Sequence, residues 1–343
     1  TNILEAKEIG HNLTLDEASK LPFPRSKVGI YSCPGLEPIY EEDVEEQEKD
    51  ANSDDDEVPI KCVAKINQDR GSVAYPYGKN LRCALFSVYD GHGEDGDLVA
   101  QYTMNEIHNR LEEHPHFKTD LGKSFHEIFT SVNEDLKYCD EIEAIFSGTT
   151  ACVAILRNNK ITISNVGDSR AVIARRSKDD VGGGSNNLSL SAIDLSVDQN
   201  PDSPEEQARI ERSGGFVSPP PEEGLSARVW LDADHTQVGL AMSRSIGDHA
   251  VKTVGVIADP VVSEHDVLPS DEFILLGSDG IWEFLSSQDA VNIVSQNFAN
   301  GKDASAACED LIENAAMKWR EFEGDYRDDI TAVIVRLDQL WSD

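Results

Sequence analysis

The amino-acid sequence predicts an α+β fold, an α-β-β-α sandwich in which two mainly antiparallel sheets are flanked by helix pairs. Three observations carry that expectation. Short apolar, β-branched runs bounded by turn residues recur along the chain, helical periodicity appears in pairs between them, and one tight reversal makes two runs antiparallel. In chain order, SKVGIYSCPG from Ser26 alternates enough for a strand, and LRCALFSVYD from Leu81 reads as a second. Two amphipathic helices follow, one with Ala100, Met104, Ile107 and Leu111 on its face, the next with Leu121, Phe125, Ile128, Val132 and Leu136. TTACVAIL, KITISNV, RAVIARR and EFILLGSD are then strands; Arg157-Asn158-Asn159-Lys160 separates the first two so briefly that the chain must reverse there. A second helix pair uses Val291, Val294 and Phe298, then Ala304, Cys308, Leu311, Ala315 and Trp319, before a last strand, ITAVIVRL. Helices with one apolar face must cover something, and two sheets packed face to face with a helix pair outside each is the economical arrangement.

Two stretches interrupt this pattern. From about 41 to 57 the chain is almost wholly acidic, a composition that self-repels and cannot bury a core. From about 178 to 187 it is rich in Gly and Ser. Because a strand precedes the acidic stretch, both read as mobile insertions within a single domain spanning 1–343.

Composition narrows the function classes. Sixty-four Asp and Glu against 30 Lys and Arg give a formal charge of -34, which repels nucleic acid and anionic lipid alike. No nucleic-acid partner is expected. No apolar run approaches the roughly 18 to 20 residues of a membrane span. The six cysteines contain no C-x-x-C pair and read as reduced thiols, so the expected compartment is intracellular, cytoplasmic and/or nuclear.

Acids placed where apolar strands end carry the chemical signal, since a charge is tolerated there only if solvated, paired or bound to metal. Asp90 follows LFSVY and opens Asp90-Gly91-His92-Gly93; Asp279 ends FILLGS; Asp328 and Asp329 immediately precede ITAVIV. Any one of these alone is commonly a turn residue bonding its own backbone. Together they form an all-oxygen set of the kind that selects hard cations such as Mg²⁺ or Mn²⁺, and no Cys or His cluster has zinc spacing.

The ordered stretches Asn67-Gln68-Asp69, VYDGHG, SGTTA, NVGDSRA, DQNP, ARIERSGG, AMSRSIGD, GSDGIWEFL and RDDITAVIV give the chain a resemblance to the protein phosphatase 2C family, over roughly Lys27 to Leu337. That family has the same sandwich fold. The resemblance implies a protein serine/threonine phosphatase in which Asp90 bridges two Mg²⁺ or Mn²⁺ ions, with Asp279 and Asp328 on one and the Gly91 carbonyl on the other. It implies a bridging hydroxide as nucleophile, His92 as general acid, Asp69 orienting metal-bound water, and Asp168 at a possible third metal. Phosphoprotein substrates and a monomer are expected.

Departures from the family pattern are also visible. Its phosphate-binding Arg is missing ahead of Asn67, where Ala64 and Lys65 stand, so Lys65 is the candidate to take the phosphate, without a bidentate fork. Gln68 stands where a Glu is usual, and Glu283 where an Asp is frequent. Gly215 to Trp230 corresponds to a variable flap beside the site. These departures sustain an alternative, a catalytically weak phosphatase-like binding module. A hydrolase of nucleotides or small phosphate esters is the other rival, but no phosphate loop of G-x-x-x-x-G-K type is present.

Overall fold

A computed structural model of the chain describes residues 2–5, 7–8, 22–39, 61–176, 190–220, 226–338 and 340–341. The acidic stretch at 41–57 and the Gly/Ser-rich stretch at 178–187 lie outside the described residues. One six-stranded sheet runs Asn2–Glu5, Arg70–Tyr75, Cys83–Tyr89, Ala151–Arg157, Lys160–Val166, Val261–Asp266, antiparallel throughout. The second six-stranded sheet runs Leu190–Asp194, Arg170–Arg176, Asp271–Gly277, Ile330–Arg336, Val28–Cys33, Lys7–Glu8. Only its two-residue edge, Lys7–Glu8, pairs in parallel.

Side-chain alternation assigns the layers. In Cys83–Tyr89, Leu85 and Tyr89 join Met104, Ile107, Phe125 and Phe129 of the first helix pair, while Ala84, Phe86 and Val88 face the other sheet. Ile330–Arg336 divides the same way: Ile330, Ala332 and Ile334 meet Val294, Cys308 and Leu311, while Val333 and Val335 face inward. Burial on both faces is why these strands read as continuous apolar runs. The predicted helices are present as Gly96–Glu113, Leu121–Leu136, Ser287–Ala299 and Ala304–Phe322. Asp120 caps the second through Lys123 N at 2.9 Å, and Ser286 with Asp289 forms a capping box on the third. The predicted α-β-β-α order is therefore the observed one.

The reversal at Arg157–Lys160 is also observed, with Asn158 at φ 56. Strands at Arg70–Tyr75, Leu190–Asp194 and Val261–Asp266 were not expected from apolar runs. The last two lie at sheet edges, and Val261–Asp266 carries Glu264, His265 and Asp266, so neither presents a long apolar stretch. Antiparallel register sets Gly277 opposite Ala332 and Arg170 opposite Gly277, gathering the ends that carry Asp279, Asp328 and Asp168 at one rim. Among the described residues, no helix is long and apolar enough to cross a membrane.

Candidate active site

A cleft of about 520 Å³ opens at that rim, and its walls include Lys65, Gln68, Asp90, Gly91, His92, Asp279, Glu283 and Asp328. Asp90 is anchored by its backbone: its N–H donates to Thr150 Oγ1 at 2.9 Å, and its carbonyl accepts from Thr150 N at 2.8 Å. Asp279 opens a short helix, Asp279–Trp282, that lies against the Asp329 backbone. A Cβ on Gly280 would sit 2.0 Å from Asp329 O, so this close approach requires glycine there.

Burial pushes the Asp90 carboxyl well above its usual range, reinforced by the Asp279, Asp69 and Asp328 charges and by a hydrogen bond to Asp279. Burial and the Asp328 charge raise Asp279 as well. Like charges this close cannot both ionise freely, and a shared proton or a cation relieves the repulsion. Asp69 lies beneath, accepting from Ser278 Oγ at 2.7 Å with its other oxygen buried and unpartnered; burial and the Asp329 charge raise it to about 7. Asp168, raised to about 6 by burial and then by Asp198, likewise has one buried oxygen without a partner. These under-coordinated carboxylates suit a divalent cation in their donor chemistry.

Asp328 is differently engaged. Its Oδ1 accepts from Lys65 Nζ at 3.0 Å and from Asp329 N at 2.8 Å. Burial alone would lower Lys65, but the Asp328 charge outweighs it and raises the ammonium above its usual value. With Asp90 turned to Asp279 and Asp328 turned to Lys65, no three His, Cys, Asp or Glu side chains among the described residues stand ready around one point. Asp329 spends both oxygens on backbone, from Gly35 N at 2.5 Å and Gln68 N at 2.7 Å, which leaves Asp328 as the acid of this pair that lines the cleft.

His92 reaches the site on a small three-stranded sheet in which Gly91–His92 pairs with Gly148–Thr149, and that with Ile246–Gly247. This pairing sets His92 Nε2 2.8 Å from Asp248 Oδ2. Burial would lower the ring's pKa, but the Asp248 charge raises it on balance, and Nδ1 is buried without a partner. A Cβ on Gly148 would lie 2.1 Å from Asp248 Oδ2, so the dyad depends on a glycine between its members.

The structure thus brings Asp90, Gly91, His92, Asp279, Asp328 and Lys65 to one cleft, with Asp69 and Asp168 in electrostatic contact with it. Sequence reasoning missed Asp248, which sits off any long strand at φ 47; its signal was the Gly-Asp ending of AMSRSIGD. It also missed Arg228, a second cationic residue in the cleft wall, whose Nη1 donates to Gly239 O at 2.5 Å. In the flap, Phe216–Ser218 pairs with Arg228–Trp230, and 221–225 lie outside the described residues.

Comparison with known proteins bears on the family and the fold. The family model for protein phosphatase 2C matches residues 48–320. "Probable protein phosphatase 2C 14" of Oryza sativa subsp. japonica is 34% identical over 284 residues, covering 82% of this chain and 50% of that protein. "Probable protein phosphatase 2C 72" of Arabidopsis thaliana is 31% identical, covering 81% of this chain and 83% of that protein. The chain spans between half and two thirds of the length of several such relatives, 50%, 63% and 54% in three from rice. Among solved structures, a serine-threonine phosphatase 2C from Toxoplasma gondii superposes with a TM-score of 0.68 at 22% identity, covering 79% of this chain and 90% of that one; this likeness bears on fold. On sequence and architecture together, the chain belongs to the protein phosphatase 2C family.

Proposed function

We propose that the chain hydrolyses phosphoserine or phosphothreonine in proteins with two Mg²⁺ or Mn²⁺ ions. The observation that carries this reading is the gathering of the carboxylates Asp90, Asp279 and Asp328 with Gly91 and His92 in one cleft. Asp90 would serve both ions, Asp279 and Asp328 one, and the Gly91 carbonyl the other, with Asp168 available to a third. When bound, such ions supply positive charge that activates water and clamps a phosphoryl group. Asp69, fixed by Ser278 beneath the cleft, would orient a metal-bound water. His92 lines the cleft and is held at Nε2 by Asp248, and it would be the acid that protonates the departing serine or threonine oxygen. Lys65 and Arg228 are the wall cations that would meet the phosphate.

The Lys65–Asp328 pair favours a second reading, a weakly catalytic binding module, because it occupies one of the required carboxylates. One assay separates them. The purified chain should release phosphate from a phosphothreonine peptide with Mn²⁺ or Mg²⁺, and both EDTA and Asp90→Asn should abolish release. Release that survives EDTA would reject the metal-dependent reading; peptide binding without release would favour the module. His92→Ala should lose more on the peptide than on p-nitrophenyl phosphate, whose leaving group needs no proton.

A further inference from the structure

One wall of the cleft is aromatic. Phe284 and Trp319 meet edge to face with centroids 4.9 Å apart, and Phe322 stacks on Phe284 at 4.9 Å and 13°. Tyr326 extends this cluster from Trp319 at 6.0 Å. Trp319 is fixed by its indole N–H, which donates to Gly280 O at 2.7 Å. The wall is therefore tied to the helix turn that carries Asp279. Its outer part is open, with Phe322 59% exposed and Tyr326 36% exposed. Phe322 stacks on Phe284 and has Lys318 Nζ 5.5 Å from its ring centroid, yet it stays more than half exposed next to the polar reaction cleft, an apolar surface still open to a partner.

Charge around this wall is mixed, with Lys65 Nζ 5.2 Å from the Tyr326 ring and Lys318 Nζ 5.5 Å from the Phe322 ring. The acids that face the cleft beside Phe284, Trp319 and Tyr326 are Glu283 and Glu323, while Glu321, next to Phe322 in the chain, pairs with Lys318 at 2.7 Å. The whole protein carries -34. Burial raises Glu283, as do the Asp168, Glu323 and Asp328 charges, a repulsion that an incoming cation relieves. The surface thus combines an apolar platform with an acidic rim. A peptide with an apolar side chain followed by basic ones complements both.

With the phosphate met by Lys65, which bonds Asp328, reach sets the spacing to that side chain. Tyr326 is two residues from Asp328, so their Cα atoms are at most about 7 Å apart. An extended peptide advances about 3.4 Å per residue, and side chains two apart share a face. We propose that the Phe284–Trp319–Phe322–Tyr326 wall selects phosphopeptides with an aliphatic or aromatic residue two positions from the phosphoresidue and Lys or Arg beyond it. This rests on the phosphatase reading and supplies its substrate class.

The test uses two phosphothreonine peptides, one with Leu at that position followed by Arg-Arg, the other with Ser followed by Asp-Asp. Binding is measured by calorimetry with Mn²⁺ present, and kcat/KM is measured in parallel. The Leu-Arg-Arg peptide should bind at least about tenfold tighter, the effect of partly burying one Leu with added charge attraction. A Leu-Ser-Ser peptide should fall between the two. Phe322→Ser should remove most of the Leu preference while leaving hydrolysis of p-nitrophenyl phosphate unchanged, and Phe322→Leu should restore it. Equal affinity for the peptides, or an equal loss on all of them in Phe322→Ser, would overturn the proposal. Selective binding without turnover would uphold the recognition surface while overturning the phosphatase reading, so the two failures are distinguishable.

Discussion

Glu206→Gln should destabilise the protein by an amount that depends on pH in a defined direction. Glu206 is only 7% exposed and receives Arg244 Nη2 at 2.7 Å, Arg209 Nη1 at 2.6 Å, Arg244 Nε at 2.9 Å and Ser243 Oγ at 2.5 Å. Burial would raise its carboxyl, but the bonds from Arg244, Arg209 and Ser243 overcome that and depress it from 4.5 to about 2. A depression of that size corresponds to roughly 3 kcal/mol of stability, an order-of-magnitude figure. Because the folded value lies below the unfolded one, the contribution is fully present above about pH 4.5 and is lost as pH falls through about 2. Chemical unfolding of wild type and Glu206→Gln at pH 7, 4 and 2.5 measures it. The gap should be about 3 kcal/mol at pH 7 and shrink steadily with acid. A gap under about 1 kcal/mol at pH 7, or one unchanged at pH 2.5, would refute the reasoning. Asp248 lies four residues beyond Arg244, so the same substitution should also loosen His92 and lower kcat.

Other substitutions test the cleft itself. Asp90→Asn should raise the unfolding midpoint of the metal-free protein by about 2 to 4 °C, because roughly 1 kcal/mol of like-charge repulsion is relieved. Mn²⁺ should raise the wild-type midpoint but not that of Asp90→Asn, and differential scanning fluorimetry reads both effects. Asp248→Asn leaves only the Asp168 charge to oppose burial at His92, so its folded pKa should fall. The high-pH limb of kcat/KM on a phosphopeptide should then move to lower pH, since the acid form is needed for protonation; an unmoved limb counts against His92 as the acid. Lys65→Met frees Asp328, so about a third of the Mn²⁺ or less should suffice for half-maximal thermal stabilisation, while KM for phosphopeptide rises. Weaker Mn²⁺ binding in that variant would show that Lys65 does not compete for the carboxylate.

Much of the fold was legible because its central strands are buried on both faces. Runs such as Cys83–Tyr89 serve two cores at once and contain almost nothing polar to obscure them. Edge strands lack that demand, which is why Val261–Asp266 was invisible to the same reading. In the cleft, the acids were legible from their place at strand ends. Strand-end placement alone does not separate Asp328 from Asp329, which the family resemblance does, since the difference lies in which one the Gly35 and Gln68 amides capture. Asp248 and Glu206 act through partners 156 and 38 residues away, and no local pattern encodes such pairings. The aromatic wall escaped for a similar reason: Trp319 was read as a core position of an amphipathic helix, and only packing shows Phe284, Phe322 and Tyr326 gathered around it.

The short hairpin next to the cleft has an engineering consequence. Leu36–Ile39 pairs with Lys61–Ala64, with Ile39 opposite Lys61, and Leu36 exchanges backbone bonds with Arg327 at 2.7 and 3.0 Å. Chain entering after Ile39 therefore returns beside its point of departure, the condition under which a foreign domain can be spliced in without prising the host apart. A fluorescent protein grafted between these strands would stand four residues from Lys65, close enough for its emission to report when that ammonium releases Asp328.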